Sequence, residues 1–149
     1  MIRTTAAADI FIPEEWTEEQ LMMKQMTLDF VEQRILPKLK EIDNQEEGLV
    51  PSLMRESGEL GLLGSSVPEE YGGMGLDFKT TMLITEAIGG AHAFSVSFSA
   101  HTGIGTLPIL YYGNEEQKKK WLPGLASGEL KGCYCLPEPS SGSDANSGK

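Results

Sequence analysis

The sequence has few of the side chains that build metal and redox centres. Its 149 residues include two cysteines and two histidines. Cys133 and Cys135 lie too close together for an intrachain disulfide framework, and a C-x-C pair with only His92 and His101 elsewhere lacks metal-ligand spacing. We therefore predict no metal site, a reducing compartment, and both cysteines as small buried hydrophobic side chains.

Positive charge is also scarce. The chain has 12 lysines and arginines against 22 aspartates and glutamates, for a formal net charge of −10. Nucleic-acid binding needs clustered basic side chains, so this balance argues against it. Residues 1–70 hold 15 acidic and six basic side chains, whereas residues 71–149 hold seven and six. A solvated acidic helical face explains the first half, and an anionic ligand meets less repulsion in the second.

Long apolar runs are absent as well. Residues 1–11 contain no apolar core of the length found in secretory signals, so we expect no such signal. Residues 89–113 carry no Asp, Glu, Lys or Arg, which raises the question of a membrane helix. Serines, threonines, glycines and both histidines make this stretch too polar for hydrocarbon. We expect an element buried inside the protein and no transmembrane segment.

The sequence does contain clear helix signals. Thr17 followed by Gln20 forms a capping-box pattern at the start of a long segment with apolar residues at spacings of three and four. Within this predicted first helix, Pro37 removes a backbone donor and predicts a kink or break. The predicted apolar face comprises Leu21, Leu28, Val31, Ile35, Leu39 and Ile42.

Other predicted helices are recognised by the residues at their ends. Pro51 suits the first position of a short helix, Asp77 caps a strong one, and Asn114 with Gln117 forms a second capping box. After Gly128 the composition changes, and the stretch "KGCYCL" predicts the first strand of something new. The predicted apolar face of the helix after Asp77 comprises Phe78, Met82, Thr85 and Ile88.

The central uncharged stretch is ambiguous by pattern alone. In residues 94–99 apolar and serine side chains alternate, which is typical of a strand. The flanking helices and the small residues Ala100, Gly103 and Gly105 favour a central helix approached closely by a ligand or another backbone. We interpret His101 as a hydrogen-bonded core histidine.

The closing run "GSDANSGK" is close to a phosphate loop. Five residues separate its two glycines where the pattern needs four, and no Ser or Thr follows the lysine, so the motif fails. A turn over Ser140–Ser143 can still offer hydroxyl and backbone N–H groups to a phosphate oxygen. A flexible Ser/Gly-rich tail is the alternative.

Four motifs in order carry a family resemblance. "PEEYGGMG", "AHTGIGTLPI", "GNEEQKKKWLPGLASGE" and "CYCLPEPSSGSDA" resemble, in sequence and spacing, the amino-terminal part of the flavin-dependent acyl-CoA dehydrogenases. The resemblance runs from about Phe11 to the last residue. Within the family the chain is most similar to the long- and very-long-chain branch.

The resemblance implies an all-α domain, an orthogonal or up-down helical bundle over residues 1–130, with the first strand of a truncated β-barrel domain over residues 131–149. A second helical domain would follow, with FAD between the domains. In the family a carboxylate removes the α-proton of a fatty acyl-CoA while a hydride leaves the β-carbon for the flavin. That carboxylate lies in the carboxy-terminal domain, so we expect no catalytic residue here, an inactive chain, and no retained FAD.

The resemblance also implies partners and a location. Electrons would pass to an electron-transfer flavoprotein, and the whole enzyme would be a homo-oligomer in fatty-acid β-oxidation. We expect a cytoplasmic protein, or a mitochondrial-matrix one in a eukaryote.

Site residues carry over from the motif positions. Tyr134, Cys135, Leu136 and Pro137 would line the flavin ring, Gly142 would let the main chain approach it, and Ser143 would contact a phosphate and the pantetheine arm of the thioester. Ala100, Gly103 and Gly105 would leave room in a wall of the acyl pocket, which suggests a long acyl chain. Close helix packing explains the same small residues equally well.

One position departs from the family. Where the family usually has threonine, this chain has Pro137, which supplies neither a hydroxyl nor a backbone N–H to the flavin. Two hydrogen bonds of about 1 kcal/mol each would be lost, which predicts weakened flavin binding. Two alternatives stay open: a helical interaction or scaffold domain without flavin, and an acyl-CoA oxidase-like flavoenzyme that passes electrons to oxygen.

Overall fold

The computed structural model describes residues 15–144 and Asn146. Within this part of the chain it contains helices and no strand, which confirms the all-α class. Residues 1–11, where we expect no secretory signal, lie outside the described residues. The α-helices are α1 (Glu18–Phe30), α2 (Leu39–Asp43), α3 (Leu49–Glu59), α4 (Phe78–Ile88), α5 (Ala93–Ala100), α6 (Leu107–Tyr112) and α7 (Glu115–Ala126).

The first helix begins and breaks where the sequence predicts. The Gln20 backbone N–H donates to Thr17 Oγ1 at 3.2 Å, and the Thr17 N–H donates to Gln20 Oε1 at 3.1 Å. After α1 the backbone widens into a π-helical turn over Val31–Ile35, here called the first π-turn. A 3₁₀ turn over Leu36–Lys38 follows, because Pro37 has no N–H to continue the helical ladder.

The main core forms where α1 packs against α4 and both contact α5. Phe94 is fully buried at its centre and meets Phe30 edge-on, with ring centroids 6.1 Å apart. Buried apolar side chains from five helices and their connections surround this pair, which makes it the largest contiguous core. Its other buried members include Val31, Ile35, Ile42, Leu53, Leu62, Leu63, Ile84, Ile88 and Phe98.

Two predicted helix faces are partly wrong. Leu21 is 49% exposed and Phe78 is 78% exposed, and Met82 and Thr85 are exposed as well, although all four were expected to face the core. The reason is a polar contact between α1 and α4, in which Gln20 Nε2 donates to Thr80 Oγ1 at 3.2 Å. Both of these side chains are buried, so this contact turns the buried face of each helix away from the predicted stripe.

A second, smaller core lies under α7. Val67, Tyr71, Leu122 and Ala126 are buried there, and the Tyr71 hydroxyl donates to Glu115 Oε2 at 2.9 Å. That hydrogen bond to a carboxylate raises the pKa of Tyr71 to about 12.

The central uncharged stretch is helical, as expected, with an interruption that was not. Phe94 and Phe98 are buried and Val96 is 70% exposed, a helical spacing that rules out the strand alternative. Between α5 and α6 lies a second π-turn, His101–Gly105. No helix among the described residues is long and apolar enough to cross a membrane.

Candidate functional site

The helical part of the chain is followed by a segment without regular secondary structure. The Leu130 N–H donates to Gly124 O at 2.9 Å just after α7, and the chain then runs outward through Gly132–Pro137, here called the exit segment. Tyr134 is 57% exposed and Leu136 is 45% exposed. Among the described residues, no backbone group of residues 133–137 takes part in a hydrogen bond. The backbone N–H and C=O groups of this segment are therefore available for hydrogen bonds with a neighbouring molecule or domain.

Two predictions for this segment are wrong within this chain. Residues 131–136 have no regular secondary structure and form no strand, because no neighbouring strand is described that could pair with them. Cys133 and Cys135 are exposed rather than buried, since the segment stands away from the helical core. The hydrogen bond that the Cys133 thiol donates to Cys135 raises the pKa of Cys133.

A tight turn follows the exit segment. Glu138 and Ser141 exchange backbone hydrogen bonds of 2.7 and 3.0 Å, and the buried Ser141 hydroxyl donates to Asp144 O. Gly142 and Ser143 are exposed at the edge of this turn, and a Cβ at Gly142 would meet nothing within 4 Å. The turn thus leaves the Ser143 hydroxyl accessible and uses the Ser141 hydroxyl internally.

His101 holds the beginning of the exit segment. Its side chain is 1% exposed, and its Nε2 and Nδ1 atoms lie 2.9 Å from Leu125 O and from the Gly132 N, respectively. Because the Gly132 N–H can only donate, Nδ1 must accept and Nε2 must carry the proton. The prediction of a hydrogen-bonded core histidine is confirmed. Burial lowers the pKa of His101, which favours this neutral form.

The second π-turn and the exit segment also meet backbone to backbone. A Cβ at Gly105 would lie 2.8 Å from the carbonyl carbon of Gly132, and a Cβ at Gly132 would lie 3.0 Å from Gly105 Cα. The two backbones can come this close only because both residues are glycines and have no side chain. Gly105 therefore serves backbone packing, whereas Gly103 has nothing within 4 Å of its Cβ position and faces open space.

Of the three predicted acyl-wall residues, Gly103 and Ala100 line different grooves. Gly103 lines a groove of about 280 Å³ between α4 and α5, and the exposed apolar side chains of Phe78 and Met82 form part of its wall. Ala100 lines a separate groove of about 350 Å³ together with His101 and Cys133. The first groove is walled by Phe78, Met82, Phe98, Thr102, Leu107 and Tyr111.

The exit segment fits the edge of a planar, polar cofactor in most respects. Its unpaired main chain from Cys133 to Leu136 can donate and accept hydrogen bonds, and the exposed Ser143 hydroxyl can reach an anionic oxygen. Pro137 is the exception, because it has no N–H to donate. No group of three or more His, Cys, Asp or Glu side chains that could hold a metal ion occurs in the described part of the chain.

Comparison with known proteins identifies the family. The model of the family described as "Acyl-CoA dehydrogenase, N-terminal domain" matches residues 17–129. The chain belongs to the acyl-CoA dehydrogenase family. A crystal structure of an acyl-CoA dehydrogenase complexed with FAD from Bacillus anthracis superposes on 99% of this chain with a TM-score of 0.93 and 46% sequence identity. This chain covers 25% of that structure.

Curated relatives of this chain are also named acyl-CoA dehydrogenases. A probable acyl-CoA dehydrogenase of Bacillus subtilis (strain 168) is 49% identical over 145 residues, which are 97% of this chain and 24% of the relative. The human mitochondrial very long-chain specific acyl-CoA dehydrogenase is 47% identical over 91 residues, 60% of this chain and 14% of the relative. The chain thus spans about a quarter or less of the length of these two relatives.

Sequence reasoning missed how the second π-turn and the exit segment are joined. His101 was correctly expected to be buried, but its partner Gly132 lies 31 residues away, and no local pattern links the two. The glycines Gly103 and Gly105 were the available signal, and in the structure Gly103 lines a groove whereas Gly105 makes a backbone contact.

Proposed function

We propose that this chain is the amino-terminal helical domain of an FAD-dependent acyl-CoA dehydrogenase. The observation that supports this most strongly is the fit of nearly the whole chain, exit segment included, to the FAD-complexed Bacillus anthracis enzyme. The helical domain would end near residue 130, and residues 131–149 would begin the β-barrel domain of the parent enzyme. The parent would introduce a trans α,β double bond into a fatty acyl-CoA.

The exit segment is the proposed flavin edge. Tyr134, Cys135, Leu136 and Pro137 would lie along the ring, with the backbone groups of Leu136 meeting its polar atoms. Gly142 and Ser143 would approach the pyrophosphate, where the open space at Gly142 admits a close neighbour. When bound, FAD supplies a hydride acceptor.

The groove beside Gly103 is the proposed acyl path. Its walls combine apolar side chains with serine and threonine hydroxyl groups, and the missing side chain of Gly103 adds depth that a long acyl chain would use. Ala100 lines the separate groove beside His101 and Cys133, so it would not form a wall of this path. Ser143 would face the pantetheine arm of the thioester, while the catalytic carboxylate would come from outside these 149 residues.

We further propose the partners of the parent enzyme. A fatty acyl-CoA would be the substrate and an electron-transfer flavoprotein the electron acceptor, in a homo-oligomer. The 149-residue chain alone would be inactive and would not retain FAD, because it supplies one edge of the flavin site.

A chimera tests this proposal. The chain would replace the matching quarter of the Bacillus subtilis relative, and FAD content and acyl-CoA-dependent dye reduction would be measured on the purified protein. We expect bound FAD and activity on long acyl-CoA. The matched variant Pro137→Thr should bind FAD roughly 30-fold more tightly, since it restores two hydrogen bonds of about 1 kcal/mol each.

The outcomes are distinct. A folded chimera that retains no FAD in either form would overturn the flavin site and favour a helical interaction domain. Equal affinities for the Pro137 and Thr forms would overturn only the contact assigned to this residue. Substrate oxidation coupled to oxygen rather than to the dye would favour the oxidase alternative.

A second variant tests the acyl path. Gly103→Leu should move the preference of the chimera toward shorter acyl-CoA substrates, because the new side chain fills the groove. Activity is measured across a series of chain lengths, with Ile104→Leu, at an exposed neighbouring position, as the control. An unchanged preference in Gly103→Leu would count against this groove.

A further inference from the structure

The start of the exit segment meets the helical domain at the His101 side chain and at the backbone of Gly105. Among the described residues, the only hydrogen bond of the Gly132 backbone is the one its N–H donates to His101 Nδ1. The next five residues have no backbone partner. At this end the segment is therefore positioned by the imidazole hydrogen bond together with the close approach of the Gly105 backbone.

The imidazole is itself fixed from several sides. Its Nε2–H donates to Leu125 O at the end of α7, and the backbone carbonyl of His101 accepts from Thr106 Oγ1 at 2.7 Å. Thr106 is fully buried. These contacts join the second π-turn, α7 and the exit segment in one rigid arrangement, here called the His101 clamp (His101, Thr106, Leu125 and Gly132).

The clamp requires the neutral imidazole. A protonated ring carries hydrogens on both nitrogens, so Nδ1 could no longer accept from the Gly132 N–H and the two N–H groups would face each other. Two titratable groups line the adjoining groove, Lys131 and Cys133, and the lysine charge disfavours a second positive charge. The other elements in this groove present side chains that do not titrate: Val50, Pro51 and Met54 from α3, and Val96, Ser97 and Ala100 from α5.

We infer that His101 is a positioning residue for the flavin site: as the neutral Nε2–H tautomer it holds Gly132, and through Gly132 it aims the exit segment at the cofactor. This inference rests on the proposed function for its flavin part. The clamp itself is a property of the chain and can be observed without flavin.

Two substitutions separate the parts of this inference. His101→Gln keeps one donor and one acceptor on a side chain that does not titrate, whereas His101→Leu removes both. Ile104→Ala changes an exposed side chain in the same π-turn and serves as the control. Each variant would be made in the 149-residue chain and in the chimera.

The first readout needs no cofactor. We expect the Gly132 amide of the chain to exchange slowly with solvent at neutral pH in the wild type, in His101→Gln and in the control, and at least tenfold faster in His101→Leu. A ¹⁵N spectrum of His101 should show an unprotonated Nδ1. Equal Gly132 exchange in the wild type and His101→Leu, at equal global stability, would overturn the clamp.

The second readout is FAD affinity of the chimera between pH 5 and 8. Wild-type affinity should rise with pH as the imidazole loses its proton and then level off, His101→Gln should be flat, and His101→Leu should be weaker by about tenfold at every pH. An identical pH profile in the wild type and His101→Gln would overturn the positioning role. Absence of FAD binding at every pH, with the Gly132 exchange pattern as expected, would instead overturn the proposed function.

Discussion

The two π-turns of this molecule share a backbone form but differ in what stabilises them. The first, Val31–Ile35, buries two apolar side chains in the main core and lies directly before a proline-containing turn. The second, His101–Gly105, buries a histidine whose ring contacts α7 and the exit segment. The first is thus a local adjustment within a helix, whereas the second links distant parts of the chain. π-Helical turns are frequent at functional sites, and of these two the second contacts the proposed site.

The largest expected effect comes from the core side of the first π-turn. Ile35 is fully buried, so Ile35→Ala should lower the free energy of unfolding by about 2–5 kcal/mol, measured by urea denaturation. The control Glu32→Ala changes an exposed side chain of the same turn and should stay within about 0.5 kcal/mol of the wild type. Equal losses in both variants would mean that the turn is stabilised by its backbone form rather than by core packing.

The second π-turn should respond to a backbone clash instead. Gly105→Ala places a Cβ 2.8 Å from Gly132, which should cost about 1–3 kcal/mol or detach the exit segment. Gly103→Ala adds the same atom to open space in the same turn and should be neutral or stabilising by up to about 1 kcal/mol. Thermal unfolding of the pair measures the difference, and similar midpoints would contradict the close contact.

A smaller expected effect is the pH dependence of stability that His101 gives to the second π-turn. Burial lowers the pKa of His101 from its ordinary 6.5, so the unfolded chain binds more protons in the window just below that value. Stability should therefore fall as the pH drops below about 6.5, and His101→Gln should reduce this slope. Denaturation midpoints at several pH values give the result. A slope that is unchanged in His101→Gln would show that other groups cause it.

The smallest effect is expected at the surface of the first π-turn. Arg34 Nε and one terminal nitrogen donate to the Glu56 carboxylate at 2.7 and 3.0 Å, and the hydrogen bond lowers the pKa of Glu56. This contribution is present above the ordinary carboxyl pKa and is lost as the pH falls through the lowered value. Because the pair is exposed, Glu56→Gln should cause only a small loss at neutral pH that vanishes in high salt. A large loss of stability that does not depend on salt would mean that the Arg34–Glu56 pair contributes substantially to the free energy of unfolding.

The difference between local and long-range contacts in the two π-turns also explains which features of the fold could be predicted from the sequence. Helix starts were predictable because a cap acts within three residues: Thr17, Asp77 and Asn114 each accept the expected backbone hydrogen bond. The break near Pro37 was predictable for the same reason. These features depend on neighbours along the chain.

Features that depend on distant residues were not predictable. The exposure of Leu21 and Phe78 follows from a buried contact between Gln20 and Thr80, 60 residues apart, which turns both helices. The proposed flavin-lining residues could be suggested only by a family resemblance, since nothing local distinguishes Leu136 from any other exposed apolar side chain. The contact between His101 and Gly132 likewise joins two segments that look unremarkable separately.

The most direct test of the central claim is hydrogen exchange of the chimera with and without added FAD. We predict that FAD slows exchange in the exit segment, above all at Leu136, and leaves the first π-turn unchanged. Protection at Val31–Ile35, or equal exchange of the exit segment in both states of a chimera that binds FAD, would contradict the assignment of the exit segment as the flavin edge.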